Sequence, residues 1–213
     1  MLAPARPIRP QQAARRPPLS SGCLSPVACF LVIAAAACGA AESAPAPRKC
    51  PADDVAVQVD DEAAALAPCK SIAGDLAIGP SFALRSLAPL ARIERVAGGL
   101  DVSDNLELTG VYLPALTAVG GDLVIESNRQ VGTVSLHRLV EVGGNLTVRD
   151  NRELLRLDLG ALRRVGGRVE IGGHPQLDTV VLDRLERAAG LALEDNPAWP
   201  ADEVKRVTRR LAP

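Results

Sequence analysis

From Ala97 to Ala188 the apolar positions of the chain keep a fixed phase that returns every 23 residues. Units opening at Ala97, Gly120, Gly143 and Gly166 follow GGxLxVxxNxxLxxVxLxxLxxV with conservative changes; a shortened unit opens at Ala189 and a looser one at Ala73. Leu100, Leu123, Leu146 and Val169 are followed two residues later by Val102, Ile125, Val148 and Ile171. That spacing puts both side chains of each unit on one face of a strand. Further columns follow at Leu108, Val131, Leu154 and Leu177, then at Val111, Val134, Leu157 and Val180. The unit closes with Leu113, Leu136, Leu159 and Leu182, then Leu116, Leu139, Leu162 and Leu185, and last Val119, Val142, Val165 and Ala188. No unit of this length buries so many aliphatic groups alone, whereas stacked units bury them against one another. The expected fold is mainly β: a solenoid of about five to six rungs of short parallel strands, rungs about 4.8 Å apart.

Two polar columns sharpen this picture. Glycine pairs open the units at Gly98, Gly120, Gly143 and Gly166, where a corner needs positive φ or close backbone approach. Asn105, Asn128, Asn151 and Asn196 share one position, with Ser81 and His174 as substitutes. Their amides would bond to backbone groups that a corner leaves unpaired, forming a structural ladder. The functional alternative for this column is a polar or metal site.

Residues 1–37 contain Arg6, Arg9, Arg15 and Arg16, no acidic residue, and an apolar run from Cys23 to Ala37. A basic start followed by a short apolar stretch and small residues reads as an export signal rather than a membrane span. Ala35, Ala36, Ala37, Cys38 and Gly39 resemble the bacterial lipobox, which implies that Cys38 becomes a lipidated first residue and anchors the chain to a membrane. Cleavage by the ordinary signal peptidase at an AxA site is the alternative. Residues 38–49, rich in Ala and Pro, form a tether. Once Cys23 and Cys29 leave with the signal and Cys38 takes lipid, Cys50 and Cys69 are the remaining thiols, and an exported protein is expected to pair them.

Residues 50–72 are expected to cap the first rung. VAVQV alternates like a strand, and Asp60, Asp61 and Glu62 ahead of an alanine run suit a helix start. The segment from Cys50 through Cys69 to SIAGDLAI, followed by repeated LxxLxxVGGxLxVxxN, resembles the receptor L domain. That is the leucine-rich β-helical module of growth-factor receptors, fungal wall proteins and bacterial envelope lipoproteins. The resemblance implies a right-handed coil with its first disulfide at the amino-terminal cap, and it implies no enzyme activity. The runner-up fold is a leucine-rich-repeat horseshoe. The solenoid spans 73–196, and 197–213 supply the carboxyl-terminal cap, with Trp199 over the last rung. Within that cap Val204, Val207 and Leu211 mark one face of a helix, acidic early and basic late.

Charge and chemistry narrow the function. Loss of 1–37 removes four of 24 basic and none of 25 acidic residues, and a mildly acidic chain is a poor partner for nucleic acid. The outward positions of the first strand are Asp101, Ser103, Val124, Glu126, Thr147, Arg149, Glu170, Gly172 and Glu194. Asp101, Glu126, Arg149 and Glu170, with Tyr112, are the candidate binding surface, facing an unidentified surface protein or glycan. Arg138, Arg163, Arg164, Arg184 and Arg187 form a candidate basic strip. Asp104 and Asp150 would stand about 9.6 Å apart by strand spacing, within reach of an inverting carboxylate pair, yet each precedes a ladder asparagine where Asp serves as a turn residue. Short rungs also lack the loops and aromatic platforms of a sugar-cleaving groove. His137 and His174 are isolated, and no GxSxG, HExxH or phosphate loop occurs. The expected protein is a non-catalytic, outer-membrane envelope lipoprotein without cofactor or metal. The alternatives are a secreted or periplasmic unlipidated recognition module and a carbohydrate-active β-helix.

Overall fold

The computed structural model describes residues 50–211, with side chains to Arg209. Three parallel sheets run side by side along a β-solenoid of about six turns, its strands labelled in chain order. The seven-stranded sheet stacks β1 (Val55–Val57), β3 (Leu76–Ile78), β5 (Leu100–Ser103), β8 (Leu123–Glu126), β11 (Leu146–Arg149), β14 (Arg168–Gly172) and β16 (Gly190–Glu194). The five-stranded sheet stacks β2 (Ser71–Ile72), β4 (Arg95–Val96), β7 (Ala118–Val119), β10 (Glu141–Val142) and β13 (Arg164–Val165). The four-stranded sheet stacks β6 (Gly110–Tyr112), β9 (Thr133–Ser135), β12 (Arg156–Asp158) and β15 (Thr179–Val181). A horseshoe has one such sheet; here every middle turn contributes a strand to each of three.

Register follows the aliphatic columns. Leu100 pairs with Leu123, Leu123 with Leu146, and Leu146 with Val169, while Val102, Ile125, Val148 and Ile171 run beside them. Strand alternation sends these side chains inward and Asp101, Val124, Thr147 and Glu170 outward. The inward members are buried, so the core is one aliphatic column running the length of the coil. It loosens at the carboxyl end, where Val180, Ala188, Leu191 and Leu193 are only partly buried.

Both ends are covered. After β1 comes helix α1 (Asp60–Ala65), whose start is held by Glu62 Oε2 accepting the Gln58 and Val59 N–H groups at 2.6 and 3.3 Å. Ala63 and Leu66 turn into the core, and the Cys50–Cys69 disulfide, with Cα atoms 5.5 Å apart, ties the segment closed. At the other end helix α2 (Ala201–Leu211) packs Val207 against the core, beside a buried Trp199.

The glycine pairs are required by proximity. Among the described glycines only Gly79 and Gly173 have positive φ. The N–H groups of Gly120, Gly143 and Gly166 reach the Val96, Val119 and Val142 carbonyls at 2.9 Å. A Cβ built on Gly143 would overlap the Gly120 carbonyl oxygen of the turn before. Gly132 stands in contrast, since a Cβ there meets nothing closer than the Glu153 carbonyl oxygen at 3.7 Å.

Gly143→Ala is therefore expected to destabilise the solenoid by about 1–3 kcal/mol, the usual range for forced overpacking. Gly132→Ala should stay within about 0.5 kcal/mol of the parent. Thermal melts of the two variants side by side check this, and equal midpoints would remove the close-approach explanation.

Candidate functional site

The buried polar column is the most organised feature of the interior. Asn105, Asn128, Asn151 and His174 are 0 % exposed and Ser81 nearly so. Each asparagine of this column donates twice to backbone carbonyls: Asn128 Nδ2 reaches Val102 O on the preceding turn at 2.8 Å and Glu126 O on its own turn at 3.0 Å. Asn151 does the same to Ile125 O and Arg149 O, both at 2.9 Å, and Asn196 to Ile171 O and Glu194 O, both at 2.9 Å. In the other direction the Asn105 N–H donates to Asn128 Oδ1 at 3.2 Å, and the Asn128 N–H to Asn151 Oδ1 at 3.1 Å. The Asn128 amide thus closes its own corner, binds the preceding turn twice, and reaches the following turn through Nδ2 to Asn151 Oδ1 at 3.1 Å.

At every ladder position but Ser81, the residue before it carries the turn. Asp104, Ser127, Asp150 and Asp195 have φ of 55, 54, 53 and 56°, and Gly173 has 75°. Asp tolerates this left-handed region better than most residues. Asp104 and Asp150 are therefore corner residues flanking Ser127 on the intervening turn.

The ladder changes bonding where asparagine is replaced. The Ser81 N–H goes to Asp104 O and the His174 N–H to Asp195 O, both at 3.2 Å, instead of to the next amide oxygen. Asn105 Oδ1 and Asn196 Oδ1 are consequently the buried side-chain atoms left without a partner among the described residues. Ser81 compensates by donating its hydroxyl to Gln58 O and accepting the Ala83 and Leu84 N–H groups at 3.2 and 2.9 Å. His174 Nε2 lies 3.0 Å from Val148 O, which can only accept, so the partners assign the proton to Nε2. Nδ1 then accepts the Asn151 N–H at 3.3 Å. Burial pushes this imidazole below 6.5, against the Val148 and Asn151 carbonyls and the Asp150 carboxylate, which favour the protonated ring and pull upward.

Four residues of the candidate binding surface come together. Asp101, Glu126, Arg149 and Glu170 lie on the outward side of the seven-stranded sheet, Arg149 Nη1 meeting Glu170 Oε1 at 2.6 Å and Asp101 accepting from the Ser103 hydroxyl. Tyr112 stands apart on the four-stranded sheet, 52 % exposed, its ring over Gly110. Gly172, in the outward phase, is buried beneath the Glu194 backbone. The basic strip is interrupted by acids: Arg163 meets Glu186 at 3.5 Å and Arg164 meets Glu141 at 3.9 Å, exposed pairs of small energetic weight. His137 is exposed, its Nδ1 3.4 Å from the Ser135 hydroxyl. Cys38, the signal at 1–37 and the tether at 38–49 lie outside the described residues.

A second polar ladder, which the sequence reading missed, follows the glycine corner. Asp54 Oδ1 accepts the Asp75 N–H at 2.9 Å, and Asp75 Oδ1 accepts the Gly99 N–H at 2.7 Å. Asp122 Oδ1 accepts the Asn145 N–H at 2.6 Å, and Asn145 Oδ1 accepts the Arg168 N–H at 2.9 Å. Its signal was an Asp or Asn directly after the glycine of Gly74, Gly121 and Gly144, broken at Gly99.

Among the described residues no group of three or more His, Cys, Asp or Glu is placed to hold a metal, and no helix is long and apolar enough to cross a membrane. Comparison with family models, curated proteins and solved structures finds no match for this chain.

Two outcomes follow from the ladder. Asn128→Ala should cost about 3–5 kcal/mol, since it orphans two carbonyls and the Asn105 N–H at about 1–3 kcal/mol each with partial relaxation. Asn196→Ala, at the loosened end, should cost less than half as much, and chemical denaturation of the pair measures the gap.

His174 gives the pH dependence. The folded chain resists a proton that the unfolded chain accepts near 6.5, so this contribution is full above 6.5 and is lost as pH falls from 6.5 towards the lowered folded value. The midpoint of thermal unfolding should fall in that window, with a slope no steeper than about 1.4 kcal/mol per pH unit. His174→Asn should abolish this component and raise the midpoint at every pH, because the amide keeps an acceptor for the Asn151 N–H and adds a side-chain donor for the unpartnered Asn196 Oδ1; a lower midpoint at pH 7.5 would refute the ladder-break account.

Proposed function

We propose that the chain is a non-catalytic cell-envelope lipoprotein, held to a membrane by lipid on Cys38, whose receptor-L-domain-like solenoid acts as a binding or spacer module at the cell surface. The observation that carries the reading is the disulfide between Cys50 and Cys69 at the amino-terminal cap, 12 residues after a lipobox-like cysteine. Disulfides persist in oxidising compartments outside the cytosol, and a basic, apolar, small-residue leader supplies the route there.

The module role rests on shape. A coil whose interior is filled by aliphatic columns keeps its chemistry for the outside, and the outward side of the seven-stranded sheet offers Asp101, Glu126, Arg149 and Glu170 on neighbouring strands. Such a face suits a polar surface protein or glycan. Asp104 and Asp150, occupied as left-handed corners, favour binding over cleavage.

Intact-mass spectrometry of the protein extracted from membranes, without reduction, tests the address. The expected species starts at Cys38, carries added acyl mass, and lacks two protons for the Cys50–Cys69 bond. Cys38→Ala should lose the acyl mass and leave the membrane fraction. A wild-type protein that begins elsewhere and stays soluble without lipid would sink the lipoprotein reading in favour of a secreted module, and turnover of a glycan by the purified protein would sink the non-catalytic one.

A further inference from the structure

The two ends of the solenoid differ in charge and in relief. Residues 50–130 carry 12 acidic and five basic side chains, whereas residues 131–211 carry 12 and 13. At the amino end Asp60, Asp61 and Glu62 of α1 are exposed, and no basic residue occurs between Cys50 and Lys70. At the carboxyl end α2 exposes Lys205, Arg206 and Arg209 along its later turns and one acid, Asp202, in its first.

Relief matches charge. Phe82 is 81 % exposed, in a chain with only two Phe, one Tyr and one Trp. It directly follows the ladder residue Ser81, so its stacking column runs through Leu106, Arg129, Arg152, Pro175 and Pro197, each directly after a ladder position. The stacking is seen in the Leu106 N–H reaching Ser81 O at 2.9 Å and the Arg129 N–H reaching Asn105 O at 3.0 Å. The far end of this corner holds a mostly apolar hollow lined by Pro175, Leu193, Pro197, Trp199 and Val204, with Asp195 and Lys205 at its sides. A knob and a hole therefore occupy the same corner at opposite ends. A copy displaced along the axis would turn its acidic α1 towards the carboxyl end, where α2 carries Lys205, Arg206 and Arg209.

We propose that the protein associates head to tail with further copies of itself, Phe82 of one copy entering the hollow beside Trp199 of the next. The contact joins two different surfaces and leaves a free knob and a free hole at the ends, so it propagates into open chains instead of closing a dimer. Opposite end charges orient the encounter. The acidic excess over residues 50–130 makes an anionic bilayer the poorer occupant, since such a surface attracts basic segments. Self-association goes beyond the lipoprotein reading and holds whether or not Cys38 carries lipid.

Sedimentation velocity of the purified full chain, up to about 1 mM, the weak end of specific association, tests it. The expected result is a mass that grows with concentration without stopping at two copies and that shrinks with added salt. Phe82→Asp blocks the knob and Ala201→Trp blocks the hollow, both at exposed positions, so both should melt like wild type. Each alone should weaken association about 10- to 100-fold, the loss expected for one large apolar anchor. Their equimolar mixture should form a species that stops at two copies, because each variant keeps one working end. The proposal fails if the wild type stays monomeric throughout, if either variant associates like wild type, or if the mixture does not recover a pair. It also fails if Phe82→Asp releases the protein from zwitterionic vesicles while leaving self-association unchanged, an outcome that makes Phe82 a lipid contact.

Discussion

A coil filled with aliphatic side chains buries its asparagine corners away from the surface, so the backbone groups that a corner turns inward need a partner built into the chain. The asparagine column is that partner. An unpaired buried amide group costs about 1–3 kcal/mol, and each turn presents two carbonyls and one N–H at this corner, so a coil without the column would lose several kcal/mol per turn. Asparagine suits the position because its amide carries donors and an acceptor on one short planar group. Asn128 uses both, donating to Val102 O and Glu126 O while its Oδ1 accepts the Asn105 N–H.

The remaining features of the turn answer to this requirement. For the amide to reach back to the carbonyl two residues earlier, the intervening residue adopts the left-handed region, as Asp104, Ser127, Asp150 and Asp195 do. That conformation costs roughly 1–2 kcal/mol in an ordinary L-residue, and the satisfied backbone groups offset it. At the glycine corner the solution differs, because the turns approach too closely for a side chain at Gly143 or Gly166. There the polar ladder sits just past the glycines, with Asp75, Asp122 and Asn145 accepting N–H groups from the following turn. The two ladders run with opposite polarity, one accepting from the turn before and one from the turn after, so each middle turn is tied to both neighbours at two corners.

How much of this was legible follows from what repeats. Leu100, Val102, Asn105 and Val119 recur with side-chain chemistry attached, and their phase predicts the stack, the register and the asparagine ladder with its Ser81 and His174 substitutes. The division of each turn into three sheets left a weaker trace, since β4, β7, β10 and β13 are two residues long and so short a strand shows no alternation. For the same reason Tyr112 was grouped with Asp101 and Arg149: outwardness is visible in a pattern, but the face reached depends on corner angles that no single residue encodes. The second ladder was hidden by its mixed composition, Asp54, Asp75, Asp122 and Asn145, and by the gap at Gly99. Gly172 kept the outward phase while Glu194 closed over it, an irregularity of the last turn that the repeat does not carry.

The irregularities gather at the two ends, and that distribution bears on where function resides. In the middle turns the aligned residues are 23 apart, but Leu76 and Leu100 are 24 apart and Arg168 and Gly190 are 22 apart. The ladder substitutes Ser81 and His174, the unpartnered Asn105 Oδ1 and Asn196 Oδ1, the exposed Phe82 and the hollow beside Trp199 all lie on or next to these altered turns. A middle turn is constrained from both sides, so nearly every residue in it serves the stack, and its outward positions meet solvent on a flat sheet. An end turn has only one neighbour and is free to depart from the consensus. Features that stacking does not require, such as the exposed Phe82 ring or the hollow beside α2, therefore concentrate where the constraint lapses.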